Sequence, residues 1–352
     1  MKKLGFSEKT AVLIGDEVNT SELARVLAEH KERYIVQNPE GIFQAEITGN
    51  IRFTAQSKTD FPAVGDWVRM VKMDKQNAVI LELFPRYSKL ERQAVGKFGE
   101  SQVIAANIDF AFIVQSVGHD FNLNRLERYL SICYAGKIEP IIILTKIDLT
   151  SKNELAEIKK QIEKRMPEVP LILLSNVTSE GFEQLNKLMQ AFNTYCFIGS
   201  SGVGKSSVIN RLMEHEVLET SRISASTQKG RHTTTRREML ILPNQSIVID
   251  TPGMRELGMT DQSAGLNKTY KKIGKLAQNC RFRDCTHQNE KGCAVIEAVE
   301  NGSLPEEVYA NYLKLKKEQE HFSSTVFEKR RKGKEFCKMA KEAMKERKKN
   351  KY

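Results

Sequence analysis

The chain has 352 residues and a mass of 40.0 kDa, enough for two or three domains with separate cores, and its 40% hydrophobic and 28% charged content suits a soluble globular protein. The longest apolar run near the middle, Pro140 to Leu144, is far too short to span a bilayer, and the lysine-bearing first residues lack the apolar core of a secretory leader, so the six cysteines are expected to be reduced in the cytoplasm. The net charge of +11 is concentrated between Lys329 and Lys351, where twelve basic residues stand against three glutamates; such a tail suits nucleic-acid phosphates, or is simply solvated.

In chain order, Thr20 to Tyr34 carries Leu23, Val26 and Leu27 at helical spacing and predicts a short helix. From Tyr34 to Tyr87 short β-like runs are punctuated by Gly, Pro and Asp, as expected of a compact all-β barrel, with OB and SH3-like barrels both open. From about Ile104, apolar strands alternate with amphipathic helices. The strands are "IDFAFIVQS", "PIIILTK", "VPLILLS", "YCFIGS" and "SIVIDTPG", which implies a parallel sheet covered on both faces. Beyond about Thr260 the chain reads as helix-rich, polar and basic.

"GSSGVGKS" from Gly199 to Ser206 satisfies the phosphate-loop pattern, follows an apolar strand and opens a helix. Gly199, Ser200, Ser201, Gly202, Val203, Gly204, Lys205, Ser206 and Ser207 are therefore expected to cradle phosphates with backbone N–H groups. Lys205 would reach the β- and γ-phosphates and the Ser206 hydroxyl would bind Mg²⁺. Asp250 and Gly253, in "DTPG", end a later strand, where an Asp can hold Mg²⁺ through water and a glycine N–H can meet the γ-phosphate.

"TKID" (Thr145, Lys146, Ile147, Asp148) lies upstream of the phosphate loop, where the Asp148 carboxylate would accept from guanine N1–H and N2–H₂ and discriminate against adenine. Thr145 stands where Asn is usual. Ser175 and Asn176, in "LLSNV", occupy the place of a second base loop, with Asn176 where Ala is usual. All these elements fall at the ends of expected strands, so they form one guanine-nucleotide site written in a rotated order. In that order the DxxG segment leads straight into the C-terminal part, which suggests that GTP state repositions it.

The residue after DxxG is Met254, not the Gln that orients water in Ras-like enzymes, so intrinsic hydrolysis should be slow. Arg231, His232 and Arg236 are candidates to compensate, and Thr233 to Thr235, with Thr234 central, are candidate switch ligands for Mg²⁺. A cation-rich surface loop for RNA is the competing reading. Cys280, Cys285, His287 and Cys293 supply a Cys₃His set that fills the tetrahedral shell of one structural Zn²⁺. Cys133, Cys196 and Cys337 are scattered and read as inert thiols.

The rotated order, "GSSGVGKS", "GRHTTT", "DTPG", "TKID", "VGDW" and the cysteine cluster together resemble the ribosome small subunit-dependent GTPase A family of circularly permuted bacterial GTPases, over about residues 33 to 330. The resemblance implies an α/β fold: a circularly permuted P-loop GTPase domain with an N-terminal OB-type β-barrel and a C-terminal zinc-binding helical domain. The corresponding division is 1–32 arm, 33–95 barrel, 96–262 GTPase and 263–352 zinc-binding domain with basic tail. It also implies a cytoplasmic monomer that binds GTP and GDP, meets the 30S ribosomal subunit and its 16S rRNA in late maturation, and hydrolyses GTP slowly unless the small subunit stimulates it. A hydrophobic residue such as Met254 is usual in that family, and its motif histidine carries onto His232 as a catalytic aid. Thr145, Asn176 and the N-terminal arm depart from the pattern. Two other readings remain at this stage: a GTP-regulated RNA-binding checkpoint whose own turnover is incidental, and a P-loop ATPase or kinase, which Asp148 opposes.

Overall fold

The computed structural model describes residues 1–15, 18–30, 33–93, 101–214, 237–250 and 263–323. A 3₁₀ turn and α1 (Glu8–Ile14), whose first turn is capped by Ser7, lead to β1 (Leu23–His30). The helix expected over Thr20 to Tyr34 is not formed. Leu23, Ala24, Arg25 and Val26 are all buried, and a bulge between Val26 and Ala28 displaces Leu27, so apolar positions of a strand mimic helical spacing. Pairing on both edges of β1 overrides weak local propensity.

β2 (Arg33–Asn38), β3 (Gly41–Ile47), α2 (Gly49–Thr54), β4 (Trp67–Lys72) and β5 (Asn77–Leu83) follow. The strands run in the order β1-β2-β3-β5-β4, and β1 pairs with β4 to close the barrel. Only β3 and β5 are parallel, and α2 spans the gap before β4. That connectivity is of the OB type, which resolves the choice of barrel. Alternate residues of each strand, among them Val26, Val36, Phe43, Val68, Met70 and Ile80, fill its interior. The stretch placed in an N-terminal arm thus contributes a wall of the barrel.

A ribbon of β6 (Lys89–Gln93) and β7 (Ser101–Ala106) joins the barrel to an α/β unit. There the chain passes through β8 (Phe110–Ser116), α3 (Leu123–Ala135), β9 (Glu139–Thr145), α4 (Lys152–Arg165) and β10 (Leu171–Leu173). It continues through α5 (Phe182–Leu188), β11 (Thr194–Ile198), α6 (Lys205–Leu212), β12 (Arg237–Ile241) and β13 (Ile247–Asp250). The sheet order is β10-β9-β8-β11-β13-β12, with β12 alone antiparallel to its neighbour. Side chains alternate between two cores: Ile113, Leu126 and Ile142 on the α3 and α4 face, and Phe112, Val114, Val208 and Ile209 on the other. The strands expected to carry the base loops, β9 and β10, come first in the chain and the phosphate-loop strand β11 comes later, yet β9 and β11 flank the same strand, β8, in the sheet. This is the circular permutation read from the motif order.

β12 also pairs with β1, through Ala28↔Glu238 and Glu29↔Arg237, so barrel and α/β unit share one continuous sheet. Arg25 pins this junction. Its fully buried guanidinium donates to Leu4 O (2.5 Å), Gly65 O (3.1 Å), Asn107 O (3.0 Å) and Thr194 Oγ1 (3.0 Å).

The C-terminal unit consists of α7 (Ser263–Thr269), α8 (Lys271–Ala277), α9 (Ala294–Glu300) and α10 (Glu306–Ser323). It docks on α3. The buried Glu127 carboxylate receives Arg165 of α4 (2.6 and 2.9 Å), the Tyr270 hydroxyl (2.9 Å) and the Asn311 amide (2.5 Å). Gly265 lies so close that a Cβ there would fall 2.0 Å from Ser131 O, and Arg128 forms a two-pronged pair with Glu318. Among the described residues no helix is long and apolar enough to cross a membrane. The basic tail and Cys337 lie outside the described residues.

Candidate nucleotide site and metal centre

Because β8, β9, β11 and β13 run parallel, their C-terminal ends gather at one edge of the sheet. The loop after β11 carries Gly199 to Gly204 and runs into α6, whose first residue is Lys205. Gly202 (φ 80°) and Gly204 (φ 96°) hold left-handed conformations, and a Cβ on Gly199 (φ 152°) would strike Val114 O at 2.2 Å. The spacing of glycines is therefore a requirement of the backbone. Lys205 Nζ folds back to donate to Gly199 O (2.8 Å) and Ser200 O (2.6 Å), which holds its charge inside the loop. Ser201, Ser206 and Ser207 are half-buried along the same turn and Val203 is buried beneath it. Asp250 closes β13, 5% exposed.

The residues expected to read the base come to the same edge. The Thr145 hydroxyl donates to Val203 O (2.6 Å) and lies 3.2 Å from Gln115 O, tying β9 to the phosphate loop. Lys146 is left-handed (φ 60°), and this bends the chain into the short turn that carries Ile147 and Asp148. The Ser175 hydroxyl donates to Asp148 Oδ1 (2.5 Å) and accepts from the N–H groups of Val177 (3.2 Å) and Thr178 (3.0 Å). One hydroxyl thus fixes the carboxylate and the loop together. Arg211 of α6 clamps that loop from outside by donating to Asn176 O (2.8 Å). A pinned carboxylate, a tethered phosphate loop and an adjoining second loop form a pocket edge that can read a purine and hold its phosphates.

The structure adds a residue that motif spacing did not reveal. Arg125, in the first turn of α3, donates to Ser200 Oγ (2.7 Å), and Tyr129 one turn later also bonds that serine. Nothing in the sequence connects residues 75 apart, and only the fold places α3 against the loop. His232, Thr234, Gly253 and Met254, with Arg231, Thr233, Thr235 and Arg236, lie outside the described residues.

Cys280, Cys285, His287 and Cys293 converge, with all four ligand atoms within 4.8 Å of one another. Cys280 Sγ lies 3.8 Å from Cys293 Sγ, and His287 Nδ1 lies 3.6 and 3.5 Å from these two sulfurs. A tetrahedral ion with bonds of about 2.3 Å to sulfur and about 2.0 Å to nitrogen requires edges of about 3.8 Å and 3.5 Å, so the donor set fits a metal ion of that size. Burial lowers the His287 pKa and keeps the imidazole in the neutral form that binds metal, while Tyr309 Oη donates to His287 O (2.5 Å). Glu290 accepts from Thr286, Gln288 and Asn289 and shapes the turn around His287.

A family model described as RsgA GTPase matches residues 83–260. The small ribosomal subunit biogenesis GTPase RsgA 1 of Bacteroides thetaiotaomicron is 40% identical over 323 residues, covering 91% of this chain and 90% of that one. RsgA 2 of Vibrio parahaemolyticus is 39% identical over 355 residues, covering 99% and 94%. Among solved structures, YjeQ from Thermotoga maritima aligns with a TM-score of 0.62 at 25% identity, covering 84% of this chain and 96% of that one. YloQ, described as a circularly permuted GTPase, aligns with a TM-score of 0.59 at 23% identity, covering 86% and 96%, and so shares the fold. With its sheet order, its rotated motifs and these relatives in agreement, the chain belongs to the RsgA GTPase family.

Proposed function

We propose that this protein hydrolyses GTP in the biogenesis of the small ribosomal subunit, binding the subunit in its GTP form and leaving after hydrolysis. The observation that carries the reading is the meeting of Asp148, held by Ser175, with the phosphate loop that Thr145 tethers, at one edge of a permuted sheet. Asp148 takes the guanine N1–H and N2–H₂ donors, Lys146 covers the base, and the residues from Gly199 to Ser207 hold the phosphates.

Ser206 at the start of α6 and Asp250 at the end of β13 would hold Mg²⁺, Asp250 through water, with Thr234 completing the set from the switch. Bound there, the ion would neutralise charge developing on the phosphate oxygens. Lys205 contributes a fixed positive charge at the same phosphates, and His232 is proposed to orient the attacking water in place of the glutamine that Met254 replaces. The Cys₃His centre is proposed to hold Zn²⁺ with no open position, a brace for a small unit with little core of its own. Barrel, metal unit and basic tail are proposed to face 16S rRNA, with the protein acting as a cytoplasmic monomer. The domain division is proposed as a barrel that begins at β1, followed by the GTPase and the metal-binding unit.

The test is GTP turnover by the full chain with and without purified small subunits, with large subunits and ATP as controls. Stimulation by small subunits alone supports the reading. Tight GTP-dependent binding without stimulation would replace it with a checkpoint role, and equal use of ATP would remove the guanine assignment.

A further inference from the structure

Thr145 stands where an asparagine is usual, and the structure shows what that exchange leaves missing. An asparagine amide has two hydrogens, one for the phosphate loop and one for the base. Threonine has one hydroxyl hydrogen, and here it is directed to Val203 O at 2.6 Å. No donor of Thr145 is left to meet the N7–O6 edge of a guanine, where both base atoms are acceptors.

Asn176 lies beside this gap. Among the described residues, and apart from its chain neighbours, two side-chain atoms border the space over Gly204 Cα within 4 Å: a Cβ built there would lie 3.4 Å from Asn176 Nδ2 and 4.0 Å from Thr145 Oγ1. The two side chains therefore flank the same point of the phosphate loop. The Asn176 backbone is held by Arg211, and the loop around it by Ser175, so the carboxamide is presented from a fixed stem. Its Oδ1 is buried and has no hydrogen-bond partner among the described residues. A dry, unsatisfied oxygen costs about 1–3 kcal/mol, and guanine N7, itself an acceptor, cannot relieve it, whereas it would relieve an amide donor standing in the same place. Rotation of the carboxamide by 180° exchanges its oxygen and nitrogen with almost no change in shape, so either group can face a ligand.

We propose that Asn176 supplies the amide that Thr145 lacks: its Nδ2 donates to guanine N7, making it a second specificity-determining residue of the base site. The inference rests on the proposed guanine reading of Asp148 and adds to it. The departures at Thr145 and Asn176 then form one relocated hydrogen bond, not two losses of affinity. Asp148 reads the N1–N2 edge, and Asn176 reads the opposite edge, so a purine is held from both sides.

The experiment measures GDP and 7-deaza-GDP affinities for the full chain by competition against a fluorescent GDP. In 7-deaza-GDP a C–H replaces N7 and nothing else changes. The wild-type chain should bind the deaza ligand about 3- to 10-fold more weakly, the factor for one net hydrogen bond. Asn176→Ala should weaken GDP by a similar factor and bring the ratio between the two ligands close to one. Asn176→Asp, of equal size but without a donor, should do the same or worse. Adding Thr145→Asn to Asn176→Ala should restore both affinity and ratio. If Asn176→Ala keeps the wild-type ratio, the inference is overturned while the guanine reading stands. If the wild-type chain binds ADP as well as GDP, the guanine reading fails and this inference fails with it.

Discussion

Replacing Glu127 by Gln tests whether one buried carboxylate holds the C-terminal unit on the GTPase sheet. The Glu127 side chain is 3% exposed and that of Arg165 10%, so solvent screens their pair little. Oε1 accepts from Arg165 Nε, while Oε2 accepts from Arg165 Nη2, Tyr270 and Asn311. In glutamine one oxygen becomes an amine. Placed at the Oε2 position it would oppose three donors, so the amide turns the other way and opposes Arg165 Nε alone. The loss is then one charge-assisted hydrogen bond and the charge that balances a buried guanidinium. Removing a partner of a buried pair costs about 3–5 kcal/mol. Arg165 keeps Asn124 Oδ1 (2.6 Å) and a distant, exposed Glu307 (3.8 Å), which lowers the expected loss to about 2–4 kcal/mol. Burial and the Glu127 charge raise the Tyr270 pKa, so its phenol stays a donor at neutral pH and cannot adapt by ionising. Native-state hydrogen exchange is the assay: amides of α10 should lose protection by about 30- to 1000-fold, with the barrel strands unchanged. Adding Arg165→Met should recover part of the loss, because the stranded charge is gone. Protection in α10 within about 3-fold of wild type, or equal loss in the barrel, would refute the reasoning.

The buried thiols offer a contrast. Burial pushes the Cys196 thiol up to about 12 and raises Cys133 as well, so at pH 8 both should resist a maleimide in the native protein. Peptide mapping should show Cys280, Cys285 and Cys293 labelled only after a strong chelator is added, with Cys133 and Cys196 still unlabelled; labelling of Cys196 at the same rate as the cluster would contradict its packing. Arg25→Met should cost about 1–3 kcal/mol, because Leu4 O and Thr194 Oγ1 lose their guanidinium donor while Gly65 O and Asn107 O keep Asn107 Nδ2 and Tyr87 Oη. Urea unfolding measures the loss, and early proteolysis within residues 1 to 14 locates it; unchanged resistance there would remove Arg25 as the pin of that segment.

Legibility in the sequence follows the distance over which a signal is written. The phosphate-loop pattern, "TKID" and the Cys₃His set are local spacings, and the fold sets them at the start of α6, in the turn after β9 and in one cluster. α3 and α4 were legible because their apolar faces repeat at helical period over thirteen and fourteen residues. β1 was not, because its bulge offsets the alternation and because Arg25 sits among buried apolar neighbours. β6 reads as polar and becomes a strand only through its pairing with β7. Arg25 and Glu127, which join the units, and Arg125, which ties α3 to the phosphate loop, find partners 21 to 184 residues away, and no local pattern encodes such pairs. Ser175 is expected from the sequence as a base-loop residue, but its bond to Asp148 needed the fold.

The most direct test of the rotated guanine site is the nucleotide preference of Asp148→Asn. An asparagine still accepts from Ser175 and from N1–H, but its amine faces the base N2–H₂ donor and instead matches the C2 carbonyl of xanthine. GTP affinity should fall by about 10²- to 10³-fold, from loss of a charged acceptor for two donors, and xanthosine triphosphate should become the better ligand. If Asp148→Asn keeps the wild-type preference for GTP over xanthosine triphosphate, the base is read elsewhere and the account of the site is wrong.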